Sequence, residues 1–203
     1  ANIRAMVDLD GMRGEDITAL DTPLPRAKAP DRFYHMGGVD WEKWKEKGND
    51  FGTWAAKRVE EQIKIGASGI KIWKNFGLQV KEPNGKLAKV DDPRLDPIFE
   101  TAASLKVPVY MHISDPVAFF DPLNRFNERW EELNEHPDWS FFGPQFPPFQ
   151  EVMEQFANRI RRHKNTVFVG CHVASYAENL AWVSALLDEC PNFNIDISER
   201  IGE

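Results

Sequence analysis

The chain has 203 residues, 42% hydrophobic and 28% charged, which suits one soluble globular domain or a piece of a larger one. Its net charge of −7 argues against a nucleic-acid partner, and no apolar run approaches the roughly 20 residues that span a bilayer, so no membrane partner is expected. The two cysteines, Cys171 and Cys190, make no disulfide framework, and residues 1–10 do not read as a secretory leader, so a reducing, cytoplasmic setting is expected.

Residues 3–10, IRAMVDLD, read as a strand, and residues 32–41, RFYHMGGVDW, as a second. Residues 54–67 read as a helix. Trp54, Ala55, Val59, Gln62, Ile63 and Ile65 recur at near-helical spacing, and Gly66 stands where a capping glycine belongs. Residues 68–74, SGIKIWK, form a third strand. Residues 92–106 follow as a helix with Asp92 as N-cap and Pro93 in its first turn, although Pro97 would let it start later. Residues 107–112, VPVYMH, are the fourth strand. Phe149, Val152, Met153, Phe156 and Ile160 mark one face of the next helix. Residues 166–172, TVFVGCH, are the fifth strand, Leu180, Val183, Leu186 and Leu187 mark another helix, and residues 193–198, FNIDIS, are the sixth strand.

Strands alternating with helices argue a parallel α/β architecture. Six strands make either an open doubly wound sheet or most of a closed barrel. No G-x-G-x-x-G follows the first strand, which removes support from a dinucleotide-binding sheet. The loops leaving the strands are long and those entering them short, as in a barrel whose active site lies at the strand C-terminal ends. The longest, residues 113–148, exceeds a mere connector. Its aromatic residues, among them Phe119, Phe126, Trp130, Trp139 and Phe141, read either as a satellite core or as a lid over a substrate pocket. A short helix is expected at residues 124–134, with Phe126, Trp130 and Leu133 as its apolar stripe.

His112 and His172 each end a predicted strand. Neighbouring parallel strands lie about 4.8 Å apart, so two imidazoles at one height converge on one ion, or else are two satisfied core histidines. Lys71 lies inside a buried strand, which calls for a carboxylate partner, a substrate anion or a catalytic role. Lys74 suits a side chain that snorkels past the strand end. Asp115 reads as an imidazole partner or as a turn cap before Pro116. Asp8, Asp10, Asp40 and Asp196 are further strand-end candidates. His35 reads as structural, and His136 and His163 as surface residues.

GIKIWKNFGL, DDPRLDPIFETAASLKVPVYMHISDPVAFF, NERWEELNEHPDWSFFGPQFP, FVGCHVASYAENLAWV and NFNIDISERI together resemble the amidohydrolase-related family of metal-dependent hydrolases, a branch that also holds decarboxylases. The resemblance runs from about residue 32 to the end. It implies a (β/α)8 TIM barrel with one divalent ion, commonly zinc. The family's ligands are a His-x-His pair on strand 1, a histidine ending strand 5 and an aspartate on strand 8, with a strand-6 histidine nearby. His112 then corresponds to the strand-5 ligand and His172 to the strand-6 histidine. No His-x-His and no Gly-Thr-Asp-like stretch occur in the chain. By the same match the chain covers about strands 2 to 7, as a single partial barrel over residues 1–203 with a lid-like insertion at 113–148. Pro23 and Pro25 interrupt the helix expected after its first strand.

The resemblance implies that the full-length protein activates a metal-bound water against a C–N or C–O bond of a small-molecule substrate. His172 would polarise the carbonyl, and Lys71, Trp73 and Asp115 would contact the substrate, Lys71 holding a carboxylate. A nonhydrolytic decarboxylase using the same ion, and a non-catalytic binding protein on an inherited barrel, are the alternatives. A homo-oligomer is compatible with either.

Overall fold

The computed structural model describes residues 3–9, 29–114 and 116–199. Within them six parallel strands form one sheet in chain order: β1 (Met6–Asp8), β2 (Phe33–Gly37), β3 (Gly69–Ile72), β4 (Val109–Met111), β5 (Phe168–Gly170) and β6 (Phe193–Ile195). The main helices between them are α1 (Phe51–Lys64), α2 (Asp96–Ser104), α3 (Trp130–Glu135), α4 (Phe149–Arg162) and α5 (Leu180–Glu189). The sheet curls into an incomplete (β/α) barrel, as the loop lengths and the family resemblance implied, where alternation alone allowed an open sheet equally well.

Register sorts the side chains into two faces. Ile70, Val109, Phe168 and Phe193 lie in one row, and all four join the core against α1, α2, α4 and α5. One residue on, Lys71, Tyr110, Val169 and Asn194 form the next row, which by strand alternation faces the other way, into the barrel. The site therefore stands on the face that the helices do not cover.

The helices start and stop for local reasons. Asp92 accepts the Arg94 N–H at 2.9 Å and caps a short 3-10 turn, Pro93–Leu95, that leads directly into α2. Both expected starting points are thus real. Gly66, with φ of 115°, lies just past the C-terminus of α1. Gly52 lets α1 approach its neighbour, because a Cβ there would sit 1.7 Å from the Arg94 carbonyl oxygen. The buried Gln62 is satisfied by Gly38, donating to its carbonyl at 2.9 Å and accepting its N–H at 2.8 Å.

Several expectations change. The second strand ends at Gly37, and Trp41 opens a 3-10 turn capped by Asp40. The insertion helix is shorter than residues 124–134. Asn124 accepts the Phe126 N–H and Asn127 accepts the Arg129 N–H, both at 2.9 Å, and these local turns delay helix entry to Trp130. Phe126 is consequently 82% exposed, not part of an apolar stripe, while Leu133 is fully buried. Leu180, expected on a buried face, is exposed. His163 is buried rather than at the surface, packed on Phe99 and within 3.2 Å of Asp96. The stretch holding Pro23 and Pro25, with Asp10, lies outside the described residues, as does Asp115.

Candidate active site at the C-terminal rim

β4 stops at Met111, and His112 is the next residue, its N–H bonded to the Ile72 carbonyl at 2.9 Å. His172 does not end its strand. β5 stops at Gly170, and His172 opens a left-handed turn in which His172, Val173, Ala174 and Ser175 have φ of 56°, 58°, 60° and 58°. None is glycine, and Val173 is β-branched. Left-handed backbone costs such residues about 1–2 kcal/mol each, so neighbours must hold it.

Asp196, just past β6, supplies that hold. Its Oδ1 accepts the His172 N–H at 2.9 Å, and its backbone carbonyl accepts the Val173 N–H at 2.8 Å. Ser198 donates its backbone N–H and its hydroxyl to the same Oδ1, at 3.1 and 2.6 Å. The His172 Nδ1 lies 3.0 Å from the Ser198 carbonyl oxygen and 3.2 Å from its hydroxyl. Burial raises the Asp196 carboxyl pKa, but the Ser198 hydroxyl and the two N–H donors outweigh it and leave it below the ordinary range.

The turn delivers the His172 ring to His112, edge to face, with centroids 4.7 Å apart. Both rings line a cavity of about 270 Å³ together with Lys74, Ser114, Ser175 and, from the insertion, Phe119, Arg129, Glu132 and Trp139. The insertion thus lies over the same rim as the two histidines. Its buried Phe119, Leu133 and Phe141 join the same hydrophobic core as the sheet and helices, not a separate satellite core.

Lys71 lies one row below His112, and Trp73 stands level with it. Lys71 is only 2% exposed and does not line the cavity. Its ammonium stands 2.9 Å from the Cys171 sulfur and 4.8 Å from the Trp73 ring, and Trp73 in turn lies 6.1 Å from His112. Burial pushes the Cys171 thiol up to about 11, against the opposing pull of Lys71. Burial, then Asp196 and Cys171, raises the Tyr110 hydroxyl. His35 is buried on β2 and paired with Asp8 at 2.9 Å, as a structural histidine should be. His136 is exposed and stacked on Trp139. Arg129 and Glu132 were not foreseen at the cavity, since nothing in a polar helix turn announces which way it faces.

The donors suit a divalent ion in part. Two imidazoles meet at one rim, but no group of three His, Cys, Asp or Glu among the described residues is placed to hold an ion.

A family model for amidohydrolases matches residues 26–200. The chain belongs to the amidohydrolase family. Comparison with curated proteins gave no match. Among solved structures, this amidohydrolase-family chain is similar to an uncharacterised TIM-barrel protein from Bordetella bronchiseptica, at 14% identity and TM-score 0.52, covering 85% of this chain and 46% of that one. It is similar to a 2,6-dihydroxybenzoate decarboxylase complexed with 2,6-dihydroxybenzoate, at 18% identity and TM-score 0.50, covering 85% and 54%. A Staphylococcus aureus protein described as a candidate amidohydrolase matches at 18% identity and TM-score 0.50, covering 86% and 56%. These likenesses speak for the fold. The chain spans about half the length of the solved structures it matches.

Proposed function

We propose that the protein is a metal-dependent amidohydrolase-family enzyme that hydrolyses a C–N or C–O bond of a small molecule. The observation that carries this reading is the pair of imidazoles, His112 and His172, with ring centroids 4.7 Å apart in a cavity that residues of the insertion also line. His112 and His172 would hold the ion as part of a larger ligand set, with the remaining donors from outside the described residues. A bound divalent ion, zinc by resemblance, lowers the pKa of a water toward neutrality and polarises a carbonyl.

The chain's own residues bind and orient the substrate. Lys74 and Arg129 bring two cations to the cavity wall and Glu132, 3.8 Å from Arg129, and Glu199 bring two carboxylates, a mixed lining that suits a small polar substrate. Trp139 and Phe119 supply apolar walls. Trp73 stands level with His112 and Lys71 one row below, and both remain proposed substrate contacts, Lys71 for a carboxylate. Asp115 remains a proposed substrate contact.

The test is metal analysis of the full-length protein after dialysis, with turnover measured on panels of esters, lactones and amides and, separately, of carboxylic acids with carbon dioxide detected. Stoichiometric metal and hydrolysis are expected, and His112→Ala should lose both. Carbon dioxide release without hydrolysis would assign the decarboxylase chemistry instead. Full metal retention in His112→Ala would remove His112 from the site. Absence of metal and of turnover would leave a binding protein.

A further inference from the structure

The left-handed turn after β5 has no glycine to favour it, yet it sets the direction of the His172 ring. The atoms that satisfy it converge on one carboxylate from the neighbouring strand. Asp196 Oδ1 takes the His172 N–H and both Ser198 donors, and the Asp196 carbonyl takes the Val173 N–H. Ser198 then faces the imidazole. Its carbonyl oxygen, 3.0 Å from His172 Nδ1, can only accept, so Nδ1 carries a proton and Nε2 carries the lone pair. The Ser198 hydroxyl donates to Asp196 at 2.6 Å, so it too faces Nδ1 as an acceptor. Glu199 stands farther off, 3.8 Å from Nδ1, and is 80% exposed.

We infer that Asp196 is a positioning residue for His172. It fixes the left-handed turn and, through Ser198, locks the imidazole in the Nδ1–H tautomer, with Nε2 presented as the ligand or acceptor nitrogen. An outer-sphere carboxylate that orients a ligating histidine is a general device, here with a serine interposed. The inference rests on the proposed function for the use made of Nε2, but the orientation itself rests on the hydrogen bonds of Asp196 and Ser198 alone.

The test uses protein labelled with 15N-histidine, metal removed by chelation, at a pH where imidazole is neutral. Two-bond 1H–15N correlation spectra report which ring nitrogen carries the proton. His172, assigned through His172→Gln, is expected to show protonated Nδ1 and bare Nε2. Asp196→Ala should average that pattern while leaving those of His35 and His163 unchanged. Asp196→Asn keeps an acceptor oxygen for the same three donors and should preserve it. Titration of the full-length protein with zinc alone should show affinity lowered about 10–100-fold in Asp196→Ala and restored to within a few-fold in Asp196→Asn. An Nε2–H wild-type ring, or an unaltered His172 pattern in Asp196→Ala, overturns the inference. Should Asp196→Ala not fold, loss of the pattern in folded Asp196→Asn overturns it equally. A wild-type protein with the expected tautomer and no zinc binding would sink the metal-dependent reading alone.

Discussion

A lysine ammonium beside a thiol ordinarily eases its ionisation. At Cys171 burial is the larger influence, and the thiol is pushed up to about 11 despite Lys71 at 2.9 Å. Cys190 is also buried, with burial again the first cause of its raised pKa. Both thiols should therefore stay silent toward a disulfide reagent at pH 8 and titrate fully only after denaturation. Counting reactive thiols before and after adding denaturant checks this, and prompt native labelling of Cys171 would contradict it. At this scale the sequence was half legible. A histidine directly after a buried run placed His112. The turn that aims His172 was hidden, because Val173 and Ala174 carry no mark of positive φ, and what holds them is Asp196, a contact across 24 residues.

Helix α4 is tied to α2 by a buried charge cluster rather than by apolar contact alone. Arg159 is fully buried, paired with Asp96 and bonded to the Val90 and Asp92 carbonyls, and His163 closes the group. Burial, then the Arg159 charge, lowers the His163 pKa from its ordinary 6.5, so the fold prefers the neutral ring. Burial raises the Asp96 carboxyl, but Arg159, Arg162 and His163 together hold it below the ordinary 3.8. A histidine depressed in this way gives stability that is full above pH 6.5 and lost as pH falls through its folded value, and Asp96 gives a second loss below pH 3.8. Urea midpoints should thus decline from pH 7.5 to 5.5, and His163→Gln should flatten that first decline. An equal decline in the variant would show that another group is responsible. The left-handed turn gives a prediction of opposite sign. Ser175 has φ of 58°, and its buried hydroxyl finds no hydrogen-bond partner among the described residues. Ser175→Gly should raise stability by about 1 kcal/mol, read from the urea midpoint. α4 was legible from its stripe of Phe149, Val152, Phe156 and Ile160. α3 was not, because two asparagines redirect the backbone before it.

The sheet buries its helix-facing side and leaves part of the other open. On β1 and β2, Val7 and Tyr34 stand side by side, 42% and 39% exposed. Apolar strand surface of this kind recruits other chains, so the chain by itself should associate as its concentration rises. Light scattering across a dilution series would show it, and Val7→Lys with Tyr34→Lys should suppress it; a monomer at every concentration would refute the expectation. The whole architecture was the most legible level, since alternation of short apolar runs with helical stripes needs no long-range information. The strand order has one more consequence, for how such a chain acquires its shape. Because order in the sheet equals order along the chain, no strand must be threaded between two that are already paired. Each βα unit can dock on the growing edge as the ribosome releases it, and every intermediate is a shorter version of the same sheet. A cut in the exposed insertion at residues 121–126 would fall between β4 and β5, dividing the sheet into two contiguous pieces whose facing edges still match. The fold is in this sense modular, and recombination between related barrels at that point would exchange intact blocks rather than interleaved strands.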